Sequence, residues 1–299
     1  MGWFTGGLSP QEFLKQTLRQ GRENHLSAFA GHLTYLGLFA IFPLLVLLLS
    51  LVGIFSAERL VGALLDSASA VMPAEAVDLL GGPILAITRN EAKTAFTLGA
   101  IIAIAAALWA LSGAFRGIMQ ALNVVHGVEE SRPFWKKYLI SVALAGAVVL
   151  LMISAGVLVV FGGLISEAVA RATGLGAALV WSWKLGQWPL LVAFILLALG
   201  LIYHFGPDVK QPRRLVTPGA IIALAGWLAF SLLFSIYVNN FGKYNATYGA
   251  LAGLAILMLL IYNSSYIVLL GAQINHVVEG EGRTEPRKYS RIRGAGQTT

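Results

Sequence analysis

The chain contains no cysteine, which excludes disulfides, thiolate metal sites and cysteine nucleophiles. Charge is scarce: 12% of its 299 residues are Asp, Glu, Lys or Arg, against about 25% in a soluble domain. Hydrophobic residues make up 57%, and the mean hydropathy is +0.76. Motifs for chemistry are missing as well. The five histidines, His25, His32, His126, His204 and His276, form no HxH or HExxH arrangement. No P-loop, nucleophile elbow or glycine-rich dinucleotide fingerprint occurs. Phosphodiester hydrolysis needs metal ligands or a positioned acid–base pair, so we expect no enzyme, no catalytic residue, no metal and no cofactor.

The few charges are unevenly placed. None falls in 24–57, 94–115, 138–166, 185–207, 215–242 or 244–278. About 20 mostly apolar residues carry a helix across the hydrocarbon layer, so the sequence predicts an all-α, polytopic membrane protein. Its six transmembrane helices are expected near 33–55, 94–116, 139–164, 186–205, 216–239 and 249–276, in one domain over 1–279. The runs are continuous rather than alternating, which argues against a β-barrel. The first run follows three basic residues and is too long for a signal peptide, so it is read as the first span.

The net charge of +7 is explained by topology. With the N-terminus inside, fifteen of the 21 Lys and Arg residues fall in inner segments; only Arg59, Arg89, Lys93, Arg171, Lys184 and Lys243 fall outside. This follows the positive-inside rule with both termini cytoplasmic, and no nucleic-acid partner is expected.

Before the first span, Ser9-Pro10-Gln11-Glu12 reads as a capping box with proline at the first helical position. Phe13, Leu14, Leu18 and His25 among Lys15, Arg19 and Arg22 then suggest an amphipathic helix on the membrane surface. Pro43 in the first span predicts a kink at the carbonyl of Phe39. In the outer segment 56–94, Leu60, Leu64, Ala68 and Val71, then Val77, Leu80, Ile84 and Ile87, recur at helical spacing and predict two short outer-face helices.

Polar stripes mark three spans. Trp109, Ser112, Arg116, Gln120 and Asn123 line the second. Ser231, Ser235 and Asn239 line the fifth, which also carries the small residues Gly219, Ala223 and Gly226 that permit close helix approach. The sixth opens on Gly249-xxx-Gly253 and presents Tyr262, Tyr266, Gln273 and His276. Trp181, Trp183 and Trp188 form an aromatic belt. The polar stretch NNFGKYNATYGALAG at 239–253 reads as an outer turn, with Gly242 and Gly249 allowing the reversal. The basic tail 280–299 reads as disordered.

Several stretches resemble the YihY/BrkB family of bacterial inner-membrane proteins, once labelled ribonuclease BN. They are LTYLGLFAIFPLL, ALNVVHGVEESRPFWKK, IYHFGPD, PGAIIALAGW, YNATYGALAG and LIYNSSYIVLLGAQIN, in order from about residue 20 to 279. The resemblance implies a six-span inner-membrane protein linked to serum resistance and to envelope or lipid handling. Where that family commonly reads Gly-Ala-Glu, this chain reads Gly271-Ala272-Gln273.

No carboxylate lies in mid-membrane, which disfavours proton or sodium coupling. The hydroxyls, amides and rings that remain suit an amphipathic substrate. Together with the transporter role that the resemblance implies, this reads the sequence as a transporter or translocator of a lipid-like molecule. Its expected path comprises Tyr35, Pro43, Ser112, Arg116, Ser231, Ser235, Asn239, Asn245, Tyr248, Tyr262, Tyr266 and Gln273, and the inner loop Lys210, Arg213 and Arg214 would attract an anionic headgroup. The alternative is a structural or accessory envelope protein. Membrane lipids are the expected partners, and other envelope proteins or self-association follow from the alternative.

Overall fold

The computed structural model describes the backbone of residues 5–54, 93–173, 176–209, 216–241 and 245–280, and their side chains except at 42–54, 93–104, 160–161, 163–181, 184 and 239–250. Every regular element among these residues is a helix. In chain order they are α1 (Pro10–Glu23), α2 (Leu26–Ile54), α3 (Lys93–His126), α4 (Phe134–Thr173), α5 (Gly176–Phe205), α6 (Pro218–Phe241) and α7 (Asn245–Gly280). The expected outer-face helices in 56–94, the loop carrying Lys210, Arg213 and Arg214, and the tail lie outside the described residues.

Among the described residues, four stretches are long and apolar enough to cross a membrane: Phe134–Val159, Leu185–Phe205, Pro218–Val238 and Leu251–Gly280. They match the last four expected spans. The first two expected spans fall on α2 and α3, helices of 29 and 34 residues.

Helix ends depart from the expected span ends in a consistent direction. α5 begins at Gly176, ahead of residue 186, and runs through Pro189. α4 continues past 164 to Thr173. The stretch read as a turn at 239–253 is mostly helix: α6 ends at Phe241 and α7 already starts at Asn245. Asn and Thr cost a helix at most about 0.7 kcal/mol each. An unpaired backbone group in hydrocarbon costs several, so the helices extend into the polar stretch from both sides, to Phe241 and from Asn245.

Helix junctions are set by local chemistry. Ser9 caps α1 as expected: Glu12 N donates to Ser9 Oγ at 3.3 Å, and Ser9 N donates back to Glu12 Oε2 at 3.4 Å. His25, at φ 54°, makes the sharp turn from α1 into α2; His is among the residues that tolerate this left-handed region. Gly127, at φ 66°, ends α3, with Gly127 N donating to Val124 O and Val128 N to Asn123 O, each at 3.0 Å. These are the paired bonds of a Schellman cap.

The chain divides into two compact units, residues 36–113 and the remainder. In the larger unit α4 packs on α5, α6 on α7, α1 on α7, and α5 on α6. Its core gathers at one end of the helices. Leu26, Ala30 and Leu33 of α2, Met119, Leu122 and Val125 of α3, Ile202 and Tyr203 of α5, Ala220 and Ala223 of α6, and Leu269, Ala272 and Ile274 of α7 are all buried. Further along the same helices large apolar side chains face outward, among them Leu150, Met152, Leu185, Leu232, Leu233 and Leu251. Patches of that extent on a soluble monomer would drive aggregation; on four helices of membrane-crossing length they are lipid-facing surface. In the smaller unit Ala40 and Ala107 are buried, while Phe39 and Trp109 are exposed.

Candidate functional site

The packed end of the larger unit is also its charged end, and polar side chains there form three connected clusters. The first joins the α3–α4 turn to the end of α5. Asp208 accepts from Ser131 N at 2.8 Å and Ser131 Oγ at 2.5 Å, and from Arg132 Nε at 3.0 Å. Arg132 also donates to the carbonyls of Phe205, at 3.3 Å, and Gly206, at 3.1 Å. It lies 3.4 Å from Glu130, which reaches Lys137 at 3.9 Å. Asn123 closes the ring: its Oδ1 accepts from Asp208 N at 2.7 Å, and its Nδ2 donates to Glu130 at 3.1 Å. The Arg132 side chain is only 7% exposed, so its charge is compensated almost entirely within this cluster. The Ser131 hydroxyl, helped by lesser contributions from the Arg132 guanidinium and the Ser131 amide, holds the Asp208 carboxyl at about 2 against the opposing effect of burial.

The second cluster is a ladder of amides fastening α1 to α7. Asn24 Nδ2 donates to Gln273 Oε1 at 2.7 Å, and Gln273 Nε2 donates to Gln20 Oε1 at 2.9 Å. Gln273 is fully buried. Replacing it with Leu strands the buried Asn24 donor and the Gln20 oxygen, at a cost of about 1–3 kcal/mol. We therefore expect Gln273→Leu to expose Lys15, Arg19 and Arg22 of α1 to trypsin at least about tenfold faster than wild type. Gln273→Glu should leave the rate near wild type, because rotating the Gln20 amide turns a donor toward the carboxylate. Equal cleavage of Gln273→Leu and wild type would show that the ladder does not hold α1.

The third cluster seats the start of α6 on α7. Thr217 is the cap, with Ala220 N donating to its Oγ1 at 3.2 Å and Pro218 at the first helical position. Asn275 of α7 accepts from Gly219 N at 2.7 Å and donates to Thr217 Oγ1 at 3.0 Å. Nearby, Tyr203 of α5 donates to Val268 O of α7 at 2.7 Å. The rings of His126 and His276 meet edge to face, with centroids 5.3 Å apart. Burial lowers the His126 imidazole, partly offset by the Leu122 carbonyl at 2.9 Å from Nδ1.

The expected path residues divide among these surroundings. Tyr262 and Tyr266 come together on α7, rings stacked at 6.4 Å and half-buried. Beside them Trp227 Nε1 of α6 donates to Ser264 Oγ at 3.1 Å. Ser231 is half-buried and Ser235 exposed. Gln273, on the same stripe by spacing, belongs instead to the ladder. Arg116 lies over the Tyr138 ring of α4, 5.0 Å from its centre. Tyr35 is exposed. Ser112, in the smaller unit, is fully buried and donates to Trp109 O at 2.8 Å. The helix passes through Pro43 without interruption. The side chains of Pro43, Asn239, Asn245 and Tyr248 lie outside the described ones.

Glu130, Ser131 and Asp208 received no role from sequence, while Asn123 was placed only on the polar stripe of the second span and Arg132 only among the orientation charges. Their signal was the pair of charged stretches, ALNVVHGVEESRPFWKK and IYHFGPD, each flanking a charge-free run and each carrying a glycine-linked break. Among the described residues no three His, Asp or Glu side chains lie close enough to share a metal ion.

A family model described as virulence factor BrkB matches residues 17–293. The ribonuclease-like protein YfkH of Bacillus subtilis (strain 168) is 31% identical over 265 residues, covering 88% of this chain and 92% of that protein. A UPF0761 membrane protein of Aggregatibacter aphrophilus is 28% identical over 269 residues, covering 88% and 90%. One from Alteromonas mediterranea is 25% identical over 270 residues, covering 86% and 84%. No solved structure matches the chain.

Proposed function

Because the chain belongs to the virulence factor BrkB family of membrane proteins, we propose that it is a non-enzymatic translocator of a lipid-like amphiphile in the bacterial inner membrane. The reading takes six spans, with α2 and α3 as the first two, α1 lying on the membrane surface and both termini cytoplasmic. The bias of Lys and Arg toward one set of loops supports that orientation.

One observation carries the transport reading. Trp227, Ser231, Tyr262, Ser264 and Tyr266 sit in the middle of α6 and α7, half-exposed or exposed, on helices otherwise faced with Leu and Ile. Polar groups on a lipid-facing surface are costly unless something shares their hydrogen bonds. An amphiphile whose headgroup passes along the stripe while its chains stay in lipid meets that requirement. Arg116 and the loop Lys210, Arg213 and Arg214 would receive an anionic headgroup at the inner face.

A second reading, an accessory protein whose polar groups serve helix contacts, is favoured by the Trp227–Ser264 bond and by Gln273, which is consumed between helices. The two are separated by headgroup accessibility of labelled lipids in liposomes carrying the purified protein. On the transport reading wild type accelerates exchange between leaflets, and Pro43→Ala, Arg116→Ala, Asn245→Ala and a Trp227→Leu/Ser264→Ala pair diminish it. Exchange no faster than in empty liposomes, across anionic and neutral lipids, overturns it in favour of the accessory role.

A further inference from the structure

Pro189 interrupts the backbone bonding of α5 inside its membrane-crossing stretch, Leu185–Phe205. Proline has no N–H to offer the Leu185 carbonyl four residues back, and its ring crowds that carbonyl, which bends a helix. The break faces outward: Leu185 is 76% exposed, Trp188 65%, and Pro189 is exposed as well. Gly186 lies in the same turn, and a Cβ there would meet nothing within 4 Å. Packing does not brace α5 at that residue.

On its other side the same part of α5 is seated on α4. At about 100° per residue, Trp183 and Gln187 lie about 120–160° around the helix from Pro189. Both meet Gly162: a Cβ on that buried glycine would come 2.7 Å from Trp183 Nε1 and 3.3 Å from Gln187 Oε1. A proline opens a helix on its own side, so the turns ahead of Pro189 lean toward α4, and glycine there leaves room for the indole. The seat is imperfect. The Trp183 Nε1–H is buried with no acceptor among the described residues. Trp183 stands two residues ahead of the crossing stretch, at the depth where an indole N–H ordinarily reaches water or a headgroup. Seated, the ring gains packing and forfeits a hydrogen bond. Swung out, it regains the bond and loses the packing. Two opposed effects on one side chain, beside a broken turn, make an element with two positions.

We propose that the first turns of α5, residues 176–188, form an arm that hinges at Pro189 and is latched to α4 by Trp183 on Gly162. Swinging the arm opens the seam between α4 and α5 at the end remote from the charged clusters. The device goes beyond the transport reading, since the arm takes both positions with no cargo present.

The chain has no cysteine, so spin labels attach only where one is introduced. Leu150→Cys on α4 and Ser182→Cys on the arm, both at exposed positions, lie about 20 Å apart. Leu139→Cys with Val192→Cys, beyond Pro189 from the arm, is the reference pair. Distances are read by double electron–electron resonance on the full chain in phospholipid nanodiscs. A bend of about 20° at Pro189 moves residue 182 by about 4 Å. The arm pair should therefore show two components about 4 Å apart, and the reference pair a single one. Pro189→Ala should reduce the arm pair to one component. Gly162→Ala, which sets a Cβ 2.7 Å from the indole nitrogen, should shift population to the displaced component. Trp183→Phe keeps a ring without the N–H and should shift population to the seated component. It reads the latch even where Gly162→Ala fails to fold. A single component in the wild-type arm pair overturns the proposal. Two components that survive Pro189→Ala overturn the hinge, and populations that neither latch variant moves overturn the latch.

Discussion

Asp208→Ala should destabilise the folded protein by about 2 kcal/mol and remove the part of its acid sensitivity that Asp208 contributes. Breaking one partner from a fully buried ion pair costs about 3–5 kcal/mol. Asp208 keeps 19% of its side-chain surface exposed, so water recovers part of that. The substitution strands two Ser131 donors and leaves Arg132, at 7% exposure, with Glu130 and two carbonyls. Arg132→Met should be at least as damaging, since the Phe205 and Gly206 carbonyls lose their donor. The acid signature identifies the cause. A carboxyl whose folded value is depressed contributes stability above the ordinary carboxylate range and loses it as pH falls toward the folded value. For Asp208 that loss spans roughly pH 4 down to about 2. Wild type should therefore show a constant contribution across neutral pH and a decline below pH 4, while Asp208→Ala should lack that component. Urea unfolding in detergent at pH 7, 4 and 3 measures both. A pH profile identical in the two proteins would show that Asp208 is not held by its neighbours.

This cluster also shows where sequence reading stopped. The chain announced its helices plainly, because a charge-free run of twenty or more residues has few other stable forms in lipid. The α1 cap was legible for a local reason: Ser9 and Glu12 are three residues apart, and the motif needs nothing else. Partners distant in sequence were not legible. Spacing placed Gln273 on one stripe with Tyr262 and Tyr266, and that much follows from helix geometry. What covers each position does not follow: Gln273 meets Asn24 and Gln20 across 249 and 253 residues, while the tyrosines remain half-exposed. Likewise the turn at 239–253 was inferred from residue types whose local preferences are weaker than the demand for backbone hydrogen bonds. Arg132 was counted only as an orientation charge and Asp208 was given no role, and only the fold brings them to 3.0 Å.

Small residues make the same point with a measurable consequence. Gly219, Ala223 and Gly226 read as sites of close helix approach, yet the structure uses them unequally. A Cβ on Gly219 would strike the Gly271 carbonyl and come within 2.6 Å of Asn275 Oδ1. A Cβ on Gly271 would strike the Tyr203 hydroxyl and lie 2.7 Å from the Gly219 carbonyl and 2.8 Å from Ala223 Cβ. Backbone from one helix thus meets backbone of the other, and the side chains that also stand in the way, Asn275 and Tyr203, are tied by hydrogen bonds to Gly219 N and the Val268 carbonyl. At Gly226 the nearest neighbour is Ile267 at 3.8 Å, and at Gly253 and Gly156 nothing lies within 4 Å. Overpacking costs about 1–3 kcal/mol where side chains can shift; with α6 and α7 in backbone contact we expect Gly219→Ala and Gly271→Ala to cost about 3 kcal/mol or more. The same change at Gly156 or Gly253 should be neutral or stabilising by up to about 1 kcal/mol, because alanine favours helix. Gly226→Ala should fall close to neutral. Folded yield in detergent and unfolding midpoints rank the five variants. A uniform response would mean that α6 and α7 do not meet at Gly219 and Gly271. The expected split would fix that crossing at the charged end, where Thr217, Asn275 and Tyr203 also join the helices, and leave the Trp227–Ser264 stripe beyond it as the more open part of the same helix pair.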